Sequence, residues 1–171
     1  MADLLTHVLV AYVLATLLSF RYDWITPAMV TVAMLGAVVP DLTKISLVIS
    51  STQVEALIGL PFDWGAIHMF GGTLVAITIG ALLTGPAYRR RIFLLLALGA
   101  ASHHVLDALL INPSGYSYAV FWPLTTYHPP TPGLYLSSDR WPAVVSALLA
   151  VVVWYLRWHR SGDQLLADRE T

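Results

Sequence analysis

The segment from Ile92 to Ile111 constrains this chain most, because it is long and apolar enough to cross a bilayer and yet carries ionisable side chains. His103 and Asp107 are four residues apart, so on a helix they lie on one face, and His104, three residues from Asp107, can share that face as well. A charged residue inside a membrane helix costs about 2.5–3.5 kcal/mol on insertion. We therefore predict that Asp107 has a function within the bilayer and that other parts of the chain bring polar groups to it.

The composition indicates a membrane protein. The chain has 171 residues, of which 57% are hydrophobic and 11% are charged, whereas soluble domains carry about 25% charged residues. We expect a single transmembrane domain over residues 1–160, followed by a polar tail over 161–171. The net charge of −1 and the lack of a large basic cluster argue against a nucleic-acid partner. The absence of cysteine excludes disulfides and thiolate metal sites.

Five apolar segments predict an all-α fold, a polytopic transmembrane bundle of about five helices. The second segment is short for a span of about 20 residues. It either ends at Asp41 or bends at Pro40 and continues to Ile49. A further stretch, Leu42–Leu60, is typical of an interfacial or re-entrant helix. The five segments are Leu4–Phe20, Pro27–Pro40, His68–Thr84, Ile92–Ile111 and Trp141–Trp158.

The arginines predict the orientation of this bundle. Arg21 follows the first segment, three arginines (residues 89–91) join the third and fourth, and Arg157 and Arg160 follow the fifth. In a five-helix alternation these places share one side, and basic loops mark the cytoplasm. We therefore expect an integral inner-membrane protein with its N-terminus outside and its C-terminus in the cytoplasm. The expected aromatic belts are Trp24, Trp154 and Trp158 inside, and Trp64, Trp122 and Trp141 outside.

Polar residues from four segments fall at a similar depth in this topology. At about 1.5 Å per helical residue, they lie about 18–31 Å from the basic side, in the outer half of a core about 30 Å thick. Three imidazoles and two carboxylates suit a divalent ion such as zinc, manganese or iron. Taken singly, each has a plainer explanation: an interfacial histidine, a helix cap at Asp41, or a hydrogen-bonded pair of His103 with Asp107. The five residues are His7, Asp41, His68, His103 and Asp107.

Short motifs in a fixed order connect these residues to a known family. The motifs are Thr6-His7, the run from Gly36 to Asp41, a histidine opening the third segment, and Ser102-His103-x-x-x-Asp107. In these the chain resembles the YdjM-like family, small inner-membrane proteins described as metal-dependent hydrolases and distantly similar to zinc-dependent phospholipase C in the His-x-x-x-Asp motif. The resemblance covers Leu4 to Thr125, including Trp122-Pro123. It implies that the five residues named above are metal ligands, with zinc as the first choice of metal.

The chain departs from the family pattern at two places. Where the family has Pro-Asp-x-Asp, Thr43 replaces the second aspartate. Where it has His-Arg-x-x-Thr-His-Ser, Asp63 replaces the first histidine and His68 matches the second. These departures argue against a two-metal site and leave Asp63 as an oxygen ligand or a general base.

A long loop, Asn112–Arg140, contains five prolines and six aromatic residues. Loops of this length are uncommon unless they have a function. It forms either an interfacial collar or a lid over the metal. As a lid it would offer substrate contacts, and Arg140 is either a phosphate ligand or an interface anchor. The predicted substrate-binding residues are Asn112, Trp122, Tyr127 and Arg140.

The resulting hypothesis is a membrane-embedded metal-dependent hydrolase that acts on an amphipathic substrate, a lipid or a lipid-linked phosphoester. A divalent ion lowers the pKa of water to about 7; Asp63 or an unligated carboxylate would act as base, and His104 or His128 as acid. The alternatives are a non-catalytic scaffold with a vestigial metal site and an ion or proton translocator. A translocator needs a polar path to the cytoplasmic face, and the sequence offers only scattered Ser and Thr there.

Overall fold

The structure is a computed structural model that describes residues 3–167, with side chains to residue 160. Within those residues the chain forms six α-helices and two 3-10 segments, and no strand longer than an isolated bridge. The predicted all-α class is therefore confirmed. The helices are α1 (Leu4–Ser19), α2 (Pro27–Val38), α3 (Ser51–Ile58), α4 (Phe70–Leu82), α5 (Arg89–Ala108) and α6 (Trp141–Ala167), and the 3-10 segments are Val39–Leu47 and Trp64–His68.

The second segment continues past its proline. Thr26 caps α2 by accepting a hydrogen bond from the Met29 amide at 3.4 Å, and Pro27 occupies the first turn, where its missing N–H costs nothing. Pro40 removes a helical hydrogen bond, and from Val39 the chain winds more tightly as a 3-10 segment. Of the two expectations for this segment, continuation past Pro40 is the one observed, as a 3-10 segment that ends at Leu47 and not at Ile49. It brings Asp41 onto a helical turn instead of leaving it at a free helix end.

Helix α5 packs most closely against α2, with α1 and α4 also in contact with it. Two glycines make this approach possible. A Cβ added to Gly99 would lie 1.9 Å from the Ala33 carbonyl oxygen, and one added to Gly36 would lie 2.3 Å from the Leu96 carbonyl oxygen. Small residues let helix backbones meet in this way in membranes. The contact holds His103 of α5 against the C-terminal end of α2, where its Nδ1 lies 2.8 Å from the Ala37 carbonyl oxygen.

Three helical stretches in the described residues are long and apolar enough to cross a membrane: Pro27–Leu47, Arg89–Ala108 and Trp141–Arg160. The other two apolar helices are shorter, with 16 residues in α1 and 13 in α4. All five predicted segments thus coincide with helices, and that all five cross the bilayer stays a prediction.

Helix α3 lies within the predicted interfacial stretch. A capping box closes its start, since the Ser50 hydroxyl accepts from the Gln53 amide while the Gln53 side chain accepts from the Ser50 amide. Gly59, with φ of 70°, ends it in the left-handed conformation that favours glycine. No residue of α3 is buried, and Leu57 is 86% exposed. The predicted helix therefore exists with apolar side chains on its surface.

The loop from Asn112 to Arg140 is folded back on the helix ends, although it contains no helix. The Phe70 amide donates to the Val120 carbonyl at 2.8 Å and the Gly71 amide to the Trp122 carbonyl at 2.9 Å, which satisfies the first free N–H groups of α4. The hydroxyl of Tyr135 donates to the Leu106 carbonyl at 2.8 Å. These bonds fasten the loop beside the ends of α4 and α5.

Arginines collect at the opposite end of the bundle. The Arg91 guanidinium lies 5.4 Å from the centre of the Trp24 ring, and Arg160 donates to the Phe20 carbonyl at 3.1 Å. Helix α6 continues through the first seven residues of the predicted polar tail to Ala167, and residues 168–171 of that tail lie outside the described residues. We call the end of the bundle where Arg91 and Arg160 lie the basic end.

Candidate metal centre

Five side chains from four parts of the chain form two groups of potential ligands that share His103. Helix α5 supplies Asp107 and His103, α1 supplies His7, and the two 3-10 segments supply Asp41 and His68. The carboxylate of Asp107 lies 3.0 Å from Nε2 of His68, 3.4 Å from Nε2 of His7 and 3.5 Å from Nε2 of His103. Asp41, His68 and His103 form a second group whose donor atoms lie within 4.8 Å of one another. We call these five residues the His/Asp cluster.

The predicted third segment began at His68. In the structure His68 instead ends the 3-10 segment Trp64–His68 and does not belong to α4. Helix α4 begins two residues later, at Phe70. Asp63 caps the 3-10 segment, because its carboxylate accepts from the Gly65 amide at 2.9 Å. The tight turn holds the His68 ring over the start of the other 3-10 segment, where Pro40 lies.

The cluster is almost fully shielded from the surroundings. His7 and His103 are 0% exposed, and Asp41 and Asp107 are each 5% exposed. Burying a carboxylate is costly unless opposite charge and hydrogen bonds compensate it. Lys44 provides part of that compensation, since its Nζ lies 2.7 Å from Oδ2 of Asp41. Asp107 lies within hydrogen-bond distance of Nε2 of His68, and a cation beside it would add to the compensation.

Backbone carbonyls determine which ring nitrogen carries the proton in two of the histidines. Nδ1 of His103 lies 2.8 Å from the Ala37 carbonyl oxygen, and Nδ1 of His68 lies 3.2 Å from that of Pro40. A carbonyl only accepts, so each Nδ1 donates, and a neutral ring then has a bare lone pair at Nε2. Both Nε2 atoms face the same oxygen, Oδ2 of Asp107, at 3.0 and 3.5 Å. The His68 contact is within hydrogen-bond distance, so it needs either a second proton on that ring or a cation shared by the ring and the carboxylate, whereas Nε2 of His103 has no hydrogen-bond partner among the described residues.

Several buried donor atoms in the cluster have no hydrogen-bond partner among the described residues. They are both ring nitrogens of His7, Oδ1 of Asp41 and Nε2 of His103. Buried polar atoms are nearly always paired, so these call for an explanation. Ligands bonded to zinc at about 2.0–2.1 Å in a tetrahedral arrangement lie about 3.3 Å from one another, close to the separations from Asp107 to the histidines. Metal-ligating histidines also typically donate their second N–H to a backbone carbonyl. The residues therefore fit a divalent ion.

His104 lies beside the cluster and is held in a separate hydrogen-bond chain. The Thr73 hydroxyl donates to the Ile67 carbonyl at 2.7 Å, so its oxygen accepts from Nε2 of His104 at 3.1 Å. Nδ1 of His104 then accepts from the Tyr118 hydroxyl at 3.0 Å. Both nitrogens of His104 are thus occupied, and it holds Tyr118 in place. Burial raises the pKa of the Tyr118 phenol well above its usual range, so the hydroxyl keeps its proton.

A cavity of about 510 Å³ adjoins the cluster and reaches His68 and Asp107. The long loop supplies much of its wall, including Asn112, and the role of Asn112 in substrate binding stays a prediction. The Asn112 side chain donates to the Tyr116 carbonyl at 2.7 Å, which fixes the turn. The polar lining residues are Thr43, His68, Asp107, Asn112, Ser117, Tyr118, Thr131 and Ser137.

The other predicted catalytic and substrate residues lie outside both the cluster and this cavity wall, as far as residues 3–167 describe them. The His128 ring is bonded through Nδ1 to the Ser117 carbonyl at 2.8 Å. Trp122 and Tyr127 are exposed, and Arg140 is exposed immediately before α6. Their roles stay predictions, as does that of Asp63.

Three residues of the site escaped the sequence analysis. Lys44 is three residues from Asp41, a helical spacing that could have revealed the ion pair. Tyr118 and Thr73 come from separate elements and meet only through His104. No local pattern in the sequence indicates such a contact.

Comparison with known proteins agrees with the motif order. The comparisons with curated proteins and with solved structures give no match. A family model, described as YdjM inner membrane protein, matches residues 1–167. That match covers nearly the whole chain, including all five residues of the His/Asp cluster and the loop beside it. The chain belongs to the YdjM inner membrane protein family.

Proposed function

We propose that this membrane protein binds a divalent metal ion in the His/Asp cluster and hydrolyses a lipid or lipid-linked phosphoester in the adjoining cavity. One observation carries the metal site. Backbone carbonyls accept from Nδ1 of His68 and His103, which directs both Nε2 atoms at the same oxygen of Asp107. A cation at that point would have two Nε2 atoms and a carboxylate oxygen as ligands. Zinc is the first candidate, since imidazole and carboxylate ligands suit it, and manganese and iron are alternatives.

The cavity supports a catalytic role for this centre. Its volume of about 510 Å³ lies within the range of small-molecule sites, about 300–1,000 Å³. A bound divalent ion supplies Lewis acidity and makes water more acidic. The chain itself presents His68 and Asp107 to the cavity, and it aligns Tyr118 and Asn112 on the wall as polar contacts for a substrate. The base would be Asp63 or a carboxylate oxygen of the cluster that is not engaged by the ion.

The position of the cluster supports an amphipathic substrate. The arginines lie at the basic end, while the cluster lies near the start of α1 and the end of α5. With basic loops in the cytoplasm, all five apolar helices crossing and the N-terminus outside, the cavity would open toward the extracytoplasmic leaflet. A lipid headgroup or a lipid-linked phosphate would meet it there.

A structural metal site is the second candidate function. Five protein ligands can saturate an ion, whereas catalytic zinc keeps a position open for water or substrate. The complete burial of His7 and His103 favours this alternative. A structural site would bind metal and stabilise the fold without turnover.

The test combines metal analysis with an activity panel on detergent-purified protein. Wild type is expected to hold about one equivalent of metal, whereas Asp107→Asn and His103→Gln lose it. His159→Gln is the matched control, because His159 lies on α6, outside the cluster. Phosphatase and lipase substrates are then offered to each variant. Turnover that depends on Asp107 supports the hydrolase; bound metal without turnover on any substrate supports the structural site; absence of metal refutes both.

A further inference from the structure

Two cavities adjoin at the basic end, and no residue of the His/Asp cluster lines either of them. One has a volume of about 510 Å³ and is lined by polar groups, and the other has a volume of about 520 Å³ and is lined mainly by apolar groups. Pro27 and Arg157 belong to the walls of both. The two cavities therefore share part of their walls, and we treat them as the polar part and the apolar part of one surface depression.

The polar part presents two guanidinium groups. Arg160 donates to the Phe20 carbonyl at 3.1 Å and lies 5.7 Å from the centre of the Phe20 ring, and Arg157 donates to the Ile25 carbonyl at 3.5 Å. These bonds hold Arg160 over the end of α1 and Arg157 over the turn that follows it. A guanidinium has five N–H donors, and the bond of Arg160 to its carbonyl uses one nitrogen of the group. The described charged residues of this wall are Asp23, Arg157 and Arg160, with a formal charge of +1.

The apolar part is a groove between α1, α2 and α6. Tyr12, Val30 and Met34 form one side of it, and Trp154 and Trp158 form the other. Both tryptophans are more than half exposed and lie on one face of α6, with ring centres 6.1 Å apart. Tryptophan is enriched at the level of lipid headgroups, where its ring is partly in apolar and partly in polar surroundings.

We propose that this depression binds one anionic phospholipid of the leaflet at the basic end. Its phosphate lies between Arg157 and Arg160, and one acyl chain follows the groove past Met34 and Trp154. Guanidinium matches phosphate in geometry and charge, and basic pockets between membrane helices bind acidic headgroups. A free phosphate would fill only the polar part, and the adjoining apolar groove is what favours a lipid. This proposal is independent of the metal centre.

Native mass spectrometry of the intact protein, released from detergent with added lipid, tests the site. The probes are dioleoyl phosphatidylglycerol, the matching phosphatidylcholine and phosphatidylethanolamine, and inorganic phosphate. We expect one phosphatidylglycerol to be retained in preference to the others. The double variant Arg157→Gln/Arg160→Gln is expected to lower its retention at least about ten-fold, because each basic residue near an acidic headgroup contributes to binding.

A matched control separates a site from general surface charge. Arg89→Gln/Arg90→Gln removes the same charge from exposed residues at the start of α5 that line neither cavity, and it should leave retention unchanged. Thr31→Trp fills the apolar groove while keeping both arginines, and it should lower phosphatidylglycerol retention.

Three results would overturn the proposal. They are an equal loss in the two arginine variants, equal retention of the zwitterionic lipids, and competition by inorganic phosphate as effective as that by lipid. Circular dichroism of each variant shows that a loss of lipid is not a loss of fold.

Discussion

Asp107→Asn should be more stable than the wild type without metal and less stable than the wild type with metal. The substitution keeps the shape of the side chain and removes its charge. In the metal-free protein the carboxylate is 5% exposed and lies 3.0 and 3.5 Å from Nε2 of His68 and His103, which are acceptors when these rings are neutral and protonated at Nδ1. The asparagine amide can instead donate an N–H to one of these nitrogens. A net hydrogen bond is worth about 1 kcal/mol, so metal-free Asp107→Asn should be about 1 kcal/mol more stable than metal-free wild type.

Metal reverses this order because only the wild type has the anionic ligand. At a free zinc concentration 100 times the dissociation constant, binding stabilises the folded state by about 2.7 kcal/mol. For a chain of this size, 1 kcal/mol shifts the melting temperature by about 2–4 °C. Zinc should thus raise the melting temperature of the wild type by about 5–10 °C and that of Asp107→Asn by much less.

Thermal unfolding in detergent, followed by circular dichroism with zinc or with a chelator, measures both effects. The control is His159→Gln, which should respond to zinc as the wild type does. The reasoning is refuted if zinc leaves the wild-type melting temperature unchanged, or if Asp107→Asn gains as much from zinc as the wild type.

Four further predictions test the packing and the surroundings of the site. Gly99→Ala should destabilise the fold by about 1–3 kcal/mol or more, because its Cβ would lie 1.9 Å from the Ala33 carbonyl oxygen. Thermal unfolding measures this loss. Gly85→Ala is the control and should be neutral, because its Cβ would have its nearest neighbour at 3.8 Å. Lys44→Met should tighten zinc binding about two- to five-fold in a competition titration, because it removes a cation 2.7 Å from a carboxylate oxygen of the cluster; weaker binding would show that the lysine positions that carboxylate. Tyr118→Phe should lower turnover without loss of metal, since the hydroxyl contacts His104 and the cavity but not the cluster's donor atoms; loss of metal would contradict this. Burial raises the pKa of Tyr135 to about 12, so the folded state keeps a proton that the unfolded state loses near pH 10. The free energy of unfolding should therefore fall as the pH rises from 10 to 12. A fall of the same size in Tyr135→Phe would refute that cause.

The helices and the meeting of the cluster residues were within reach of the sequence. Hydropathy locates the apolar segments, and a charge such as Asp107 in such a segment is costly enough to need partners. Counting residues from the arginines placed His7, His103 and Asp107 at a similar depth, and the structure brings their donor atoms within 4.8 Å of one another. Periodicity and charge cost are local properties, which is why they can be derived without a fold.

The rest depends on contacts that no local pattern encodes. His68 belongs to a 3-10 turn because Asp63 caps that turn and the long loop, through the Val120 carbonyl, satisfies the start of α4. His104, predicted as an acid, is engaged at both ring nitrogens by Thr73 and Tyr118, which come from distant positions in the chain. Loop conformations and shared hydrogen-bond chains are properties of the folded whole.

The most direct test of the account is element-resolved anomalous scattering from crystals of zinc-loaded protein. The account predicts a peak within the His/Asp cluster, about 2.0–2.1 Å from histidine Nε2 atoms and about 2.0–2.2 Å from a carboxylate oxygen of Asp107. A zinc peak found only at exposed histidines such as His128, with His68 and His103 directed at Asp107 and no ion between them, would contradict it.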